Sequence, residues 1–165
     1  MPIQRLFLTP LLLLVVALTS FCTKENQQNS SQKPKNGRTI DTISTLSFLD
    51  DSSHNSKVTI NIAVAETEQQ RNLGLMGVAK LGADEGIIFL FEKAQPLTFW
   101  MANTPLPLDI FFVDADSVII RVHKNTQPYS NSQYGTEGNK AMYVVETNAG
   151  YSTIYDIKEG YRIRF

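Results

Sequence analysis

Phe99-Trp100-Met101-Ala102-Asn103-Thr104-Pro105-Leu106-Pro107-Leu108-Asp109 runs directly into Ile110-Phe111-Phe112-Val113, and this stretch decides how the chain can fold. Its opening residues alternate, with Leu97, Phe99 and Met101 on one face of an extended segment and Thr98 and Trp100 on the other. Pro105 and Pro107 then lack amide donors and hold their preceding residues extended, so the chain must cross or edge a sheet here rather than run through its centre. The strand that follows, Leu108 to Val113, is apolar except for Asp109, which shares a face with Phe111 and Val113. A carboxylate in such a run must be solvated, hydrogen-bonded or paired with a cation, because an unpaired buried charge is strongly destabilising. With Asn103 and Thr104 close in sequence and Arg71 a suitable cation, the candidate ligand-binding set is Trp100, Asn103, Thr104, Asp109 and Arg71.

Working outward, the same period-two alternation recurs at short intervals. Ile43 to Leu49 and Lys57 to Val64 flank a turn cluster containing His54 and predict a hairpin. Thr67 followed by Gln70 is a capping box that predicts a helix from Glu68 to about Leu73, stopped by Gly74. Gly86-Ile87-Ile88-Phe89-Leu90-Phe91 reads as a strand buried on both faces. Asp114-Ala115-Asp116 turns the chain into Ser117 to His123, and Ala141 to Thr147 gives a further strand carrying Glu146. Tyr151 to Ile157 is a short helical segment, and Tyr161 to Phe165 a last strand. Between these lies a polar stretch, residues 124–140, long enough to be a lid or binding loop, with Tyr129 and Tyr134 placed to cover a polar ligand or simply to pin the loop down. Seven or eight short strands with little helix predict a mainly β fold: an antiparallel β-sandwich or distorted barrel with one short capped helix and a second helical turn.

The N-terminal part has a different composition. Arg5 precedes an apolar run from Leu6 to Leu18, shorter than a membrane span and interrupted by Pro10, which is the pattern of a secretory signal over residues 1–21. Cys22, the single cysteine, follows directly, so no internal disulfide can form, and lipidation is the use its position suggests. The next residues are rich in Asn, Gln, Ser and Lys and have almost nothing to bury, so residues 22–41 are expected to be a lipidated cysteine and flexible tether. Residues 42–165 then form a single β-rich domain. This organisation implies an envelope lipoprotein facing the periplasm or cell surface, its membrane contact made through the N-terminal anchor.

Charge and residue content exclude several functions. A net charge of −1 with interspersed signs leaves no basic stripe for nucleic acid. Two histidines and no cysteine within the domain argue against a zinc site, and the glycines are not spaced as a nucleotide-binding loop, so no metal and no cofactor is expected.

The motifs also carry a family resemblance. Glu66-Thr67 with Arg71 and Gly74-Leu75-Met76, Phe99-Trp100-Met101 with Asn103-Thr104, Pro107-Leu108-Asp109, and Tyr143-Val144 with Glu146 and Ala149-Gly150 together resemble the domain-of-unknown-function 192 family. The resemblance implies a compact β-rich domain and no particular reaction. Against the family pattern, Ala102 stands where a basic residue is usual, and the cysteine pair many relatives carry in the long loop has no counterpart in residues 124–140. Three functions fit this reading. One is a small binding or accessory module with a site around Trp100 and Asp109, taking a small polar ligand or an envelope protein. Another is a structural or protein-interaction domain whose polar residues form an internal network. The last is a carboxylate-based hydrolase with Asp109 or Glu146 as base and His123 as partner.

Overall fold

The computed structural model describes residues 37–51 and 55–165. The signal-like segment, Cys22, most of the expected tether and His54 lie outside the described residues. The fold is mainly β: β1 (Ser44–Leu49), β2 (Ser56–Ala65), α1 (Glu68–Leu73), β3 (Glu85–Gln95), β4 (Thr98–Phe99), β5 (Leu108–Val113), β6 (Ile119–Thr126), β7 (Tyr134–Gly135), β8 (Ala141–Asn148), α2 (Tyr151–Ile154) and β9 (Arg162–Arg164). Seven of these strands form one sheet in the order β6-β5-β8-β3-β2-β1-β9, curled into a half-barrel, and β4 pairs with β7 in a separate ribbon.

The expected hairpin is present as an antiparallel β1–β2 pair in which Ser44 faces Ile62 and Phe48 faces Val58. The expectation of a purely antiparallel fold needs one correction, because β2 and β3 run parallel, Asn61 facing Glu85 and Ala65 facing Phe89. Parallel neighbours require a crossover, and residues 66–84, including α1, supply it. The two edges of the curled sheet also meet at one point. Val118 bridges Arg162, the Ile119 N–H donates to the Tyr161 carbonyl at 2.7 Å, and the Ile163 N–H donates to Ser117 at 2.9 Å.

Both faces of the sheet are covered, which accounts for the composition of β5, apolar except for Asp109, where every residue is buried. Leu108, Ile110 and Phe112 look into one core with Phe89, Val144 and Met101, beneath the crossover residues Leu75, Val78 and Leu81. Phe111 and Val113 look into the other, inside the curl, with Phe48, Ile60, Ile88, Val145 and Tyr151.

The capping box forms as the sequence predicts: the Gln70 N–H donates to Thr67 Oγ1, and Gln70 Oε1 accepts from the Thr67 N–H. Gly74 ends α1 at φ 41° and ψ −129°, a conformation open to glycine, and a Cβ there would press on the Phe89 ring at 3.2 Å. The end of the expected tether departs from the sequence reading. The Arg38 N–H donates to Gly77, and its guanidinium donates to the carbonyls of Met76 and Gly74, so this part of the chain is docked on the crossover rather than free.

Candidate functional site

The stretch from Leu97 to Asp109 is a junction. Only Thr98 and Phe99 pair as a strand, against Gly135 and Tyr134. The chain then turns, with the Thr104 N–H donating to the Met101 carbonyl at 3.1 Å and Asn103 at φ 59°, a conformation that asparagine tolerates better than most residues. Two outside segments fasten this turn through three hydrogen bonds. The Asn103 carbonyl accepts from the Gly77 N–H, the Thr104 carbonyl from Tyr129, and the Ser130 carbonyl accepts from Met101. The long loop of the sequence reading is therefore anchored to the junction, and β7 forms within it.

Beside this junction lies a cavity of about 340 Å³. Its walls come from α1, from residues 74–76, from β3 and from the segment Leu97–Trp100. Phe89, Phe91 and Phe99 form an edge-to-face cluster, with Phe99 centred 4.9 Å from Phe89 and 6.5 Å from Phe91. Leu73 and Trp100 stand at the mouth, 46% and 53% exposed, a large share for such apolar side chains.

The structure divides the residues that the sequence grouped together. Trp100, Thr104 and Arg71 line the cavity. Asn103 does not line it; it is exposed and serves the turn. Asp109 is fully buried on the opposite face of the sheet, where Oδ1 accepts from the N–H groups of Asn125 (2.9 Å) and Gly150 (3.2 Å) and Oδ2 from that of Ser152 (2.8 Å). The physical reason is the start of α2: Gly150, its N-cap at φ 85°, has no side chain to offer the first amides of the helix, and Asp109 supplies the missing acceptor from a neighbouring strand. Asp109 thus serves as an acceptor for backbone amides and lines no part of the cavity beside Trp100.

Arg71 is likewise not paired with Asp109. Its Nη1 donates to the carbonyls of Glu66 and Leu90, and the guanidinium lies 5.0 Å from the centre of the Phe91 ring, so it clamps α1 against β3 at the rim. His123 holds the Gly135 carbonyl through Nε2 at 2.8 Å and packs edge-on against Phe112 and Tyr134. It lines no part of the cavity.

The carboxyl that does reach the cavity is that of Glu146 in β8. Its backbone neighbours are Ile87 and Ile110, its side chain shares the face of Val144, and its residual 4% exposure opens into the cavity it lines. No hydrogen bond or ion pair to its carboxyl is formed among the described residues. Burial pushes this carboxyl from its ordinary 4.5 up to about 8, so it is mostly protonated at neutral pH. The sequence reading had Glu146 only as a general base paired with His123. Nothing local distinguished it from Asp109, since each is a lone carboxylate in an apolar strand. Among the described residues no cluster of side chains suited to holding a metal ion occurs.

The fold and site define a class: a β half-barrel domain with an aromatic-walled cavity lined by a buried carboxyl that has no partner among the described residues. The chain belongs to the DUF192 family of uncharacterized ACR proteins, whose pattern matches residues 50–165. Among solved structures it is similar to a proposed transcription regulator from Sinorhizobium meliloti 1021, with 27% identity and a TM-score of 0.70 over 77% of this chain and 97% of that one. It is also similar to a protein of unknown function from Novosphingobium aromaticivorans DSM 12444, with 29% identity and a TM-score of 0.68 over 77% of this chain and 91% of that one. No curated protein matches the chain.

Proposed function

We propose that the domain is a small-molecule binding module and that the cavity between α1, β3 and the Leu97–Trp100 segment is its site. One observation carries this reading: Glu146 is 4% exposed, has no partner within the described residues, and opens into a cavity of ligand size. A buried polar group left unbonded costs stability, and an aromatic cavity with one such group at its floor has the make-up of a site that orients a ligand by a single polar contact. Trp100 and Leu73 form an apolar rim, Thr104 adds a hydroxyl, and Arg71 holds the wall in place.

The internal-network reading also has an observation in its favour, the three amides gathered on Asp109. That network lies on the other face of the sheet, so a stabilising network and a binding cavity are compatible. Of the hydrolytic set only Glu146 lines the cavity; Asp109 and His123 are both committed elsewhere, so Glu146 stands there without the catalytic partner that reading requires. The N-terminal pattern, with Arg5, the apolar run and the lone Cys22, supports placing the module on the cell envelope as a lipid-anchored protein.

Trp100 is the single tryptophan and stands at the cavity mouth, so it reports on occupancy directly. A panel of small apolar molecules with varied polar ends, titrated while following Trp100 emission, is expected to contain compounds that shift it saturably. The same compounds should lose their effect in Thr98→Phe, a non-emitting filler that narrows the cavity while keeping Trp100 as the reporter. A panel with no saturable response, or responses indifferent to the filler, would count against the site.

A further inference from the structure

The unpartnered Glu146 carboxyl narrows the chemistry of the ligand, an inference that rests on reading the cavity as a ligand site. A partner for this group is either an acceptor for the proton of the neutral acid or a cation for the carboxylate. The surroundings distinguish these. Phe89, Phe91, Phe99 and Trp100 line the same space, and aromatic faces attract cations once water is removed. The charged groups that line the cavity are two carboxyls, Glu68 and Glu146, against one guanidinium, Arg71. Arg71 is already turned to the carbonyls of Glu66 and Leu90 and to the Phe91 ring. An anion reaching the floor would meet Glu146 and four π-systems, whereas a cation would find a counter-charge and aromatic walls together.

We propose that the ligand carries a cationic nitrogen, a small organic amine or ammonium whose charge pairs with Glu146 and whose apolar body lies against the aromatic walls. The cavity of about 340 Å³ suits an arylalkylamine. The pairing has a proton balance. Before binding the carboxyl is protonated; on binding, its O–H bond breaks, the proton leaves to solvent, and the carboxylate accepts from the ammonium N–H. The ionisable groups facing the cavity with Glu146 are Glu68 and Arg71, both on α1, while β3 and the Leu97–Trp100 segment contribute none. Amine affinity is therefore expected to rise with pH, by about tenfold per pH unit below the carboxyl's own titration, as the cost of removing that proton falls.

The test uses three probes with similar apolar bodies: phenethylamine, phenethyl alcohol and hydrocinnamate. Titration calorimetry in two buffers of different ionisation enthalpy, with Trp100 emission in parallel, measures affinity and proton release together. The amine is expected to bind at least about tenfold more tightly than the alcohol or the acid, with release of a proton near neutral pH, and Glu146→Gln should bring it down to the level of the alcohol. A melting curve for Glu146→Gln at or above that of the parent shows that the variant is folded. If the alcohol or the acid binds as tightly as the amine, or the amine binds without releasing a proton, the cationic ligand is overturned while the binding module stands. If none of the three binds, the cationic ligand is overturned, and silence across the wider panel would remove the binding module as well.

Discussion

Replacing Glu146 by glutamine should stabilise the domain in alkaline solution and leave it unchanged in acid. The carboxyl titrates at about 8 in the folded chain against an ordinary 4.5, so between these values the native state holds a proton that the unfolded chain has released. Stability falls with rising pH wherever the native state binds more protons, so the wild-type domain loses stability from about pH 4.5 upward and levels off above about pH 8. At about 1.4 kcal/mol for each tenfold, the gap amounts to roughly 4–5 kcal/mol, an upper figure because water reaching the cavity would reduce it. Glutamine keeps the shape and carries no charge, so the loss is absent in the variant. At about 3–5 °C per kcal/mol for a domain of this size, Glu146→Gln should melt up to roughly 12–25 °C above wild type near pH 9 and within a few degrees of it near pH 4. Differential scanning calorimetry across that range measures the divergence. Curves that stay parallel would mean that Glu146 ionises as an ordinary solvated or paired carboxylate, and the argument for a strained floor would fail.

Asp109→Asn should behave in the opposite way. Whichever way the amide is turned, an –NH₂ replaces one of the acceptor oxygens facing Asn125, Gly150 or Ser152, and urea unfolding should show a loss of roughly 3–5 kcal/mol. The folded fraction should keep the response of Trp100 to any cavity ligand; unchanged stability would contradict the structural role given to this carboxylate. For the N-terminal region, labelling with radioactive palmitate in a bacterial host is expected to mark the wild-type chain and to miss Cys22→Ser; equal labelling, or none in either, would remove the lipid anchor.

These two carboxylates show where the sequence could be read and where it could not. The cap of α1 was legible because Thr67 and Gln70 are three residues apart and satisfy each other locally. The burial of residues 86–89 in β3 on both faces was legible from composition, and the alternation of β5 correctly set Asp109 with Phe111. What separates Asp109 from Glu146 is not local. The amides that hold Asp109 come from β6 and from α2, after the next two long strands, and no pattern around Asp109 announces them. The space in front of Glu146 is created by a crossover that precedes it by dozens of residues and by aromatic side chains of β3 and β4. Trp100, Thr104 and Arg71 line one cavity, while Asn103 was drawn in by sequence proximity although its backbone conformation was its contribution. The parallel β2–β3 pair was missed for a related reason: alternation gives a strand its faces and says nothing of its direction.

The meeting of the sheet edges has a kinetic consequence. The short strand β9 lies against β1 and is bridged to the residue just before β6, yet it is synthesised after both. Phe48 finds its partner Ile163 only once nearly the whole domain has been made. The contacts that join the edges of the sheet are therefore long-range rather than local. In a nascent chain built this way these edge contacts cannot form until β9 has been made.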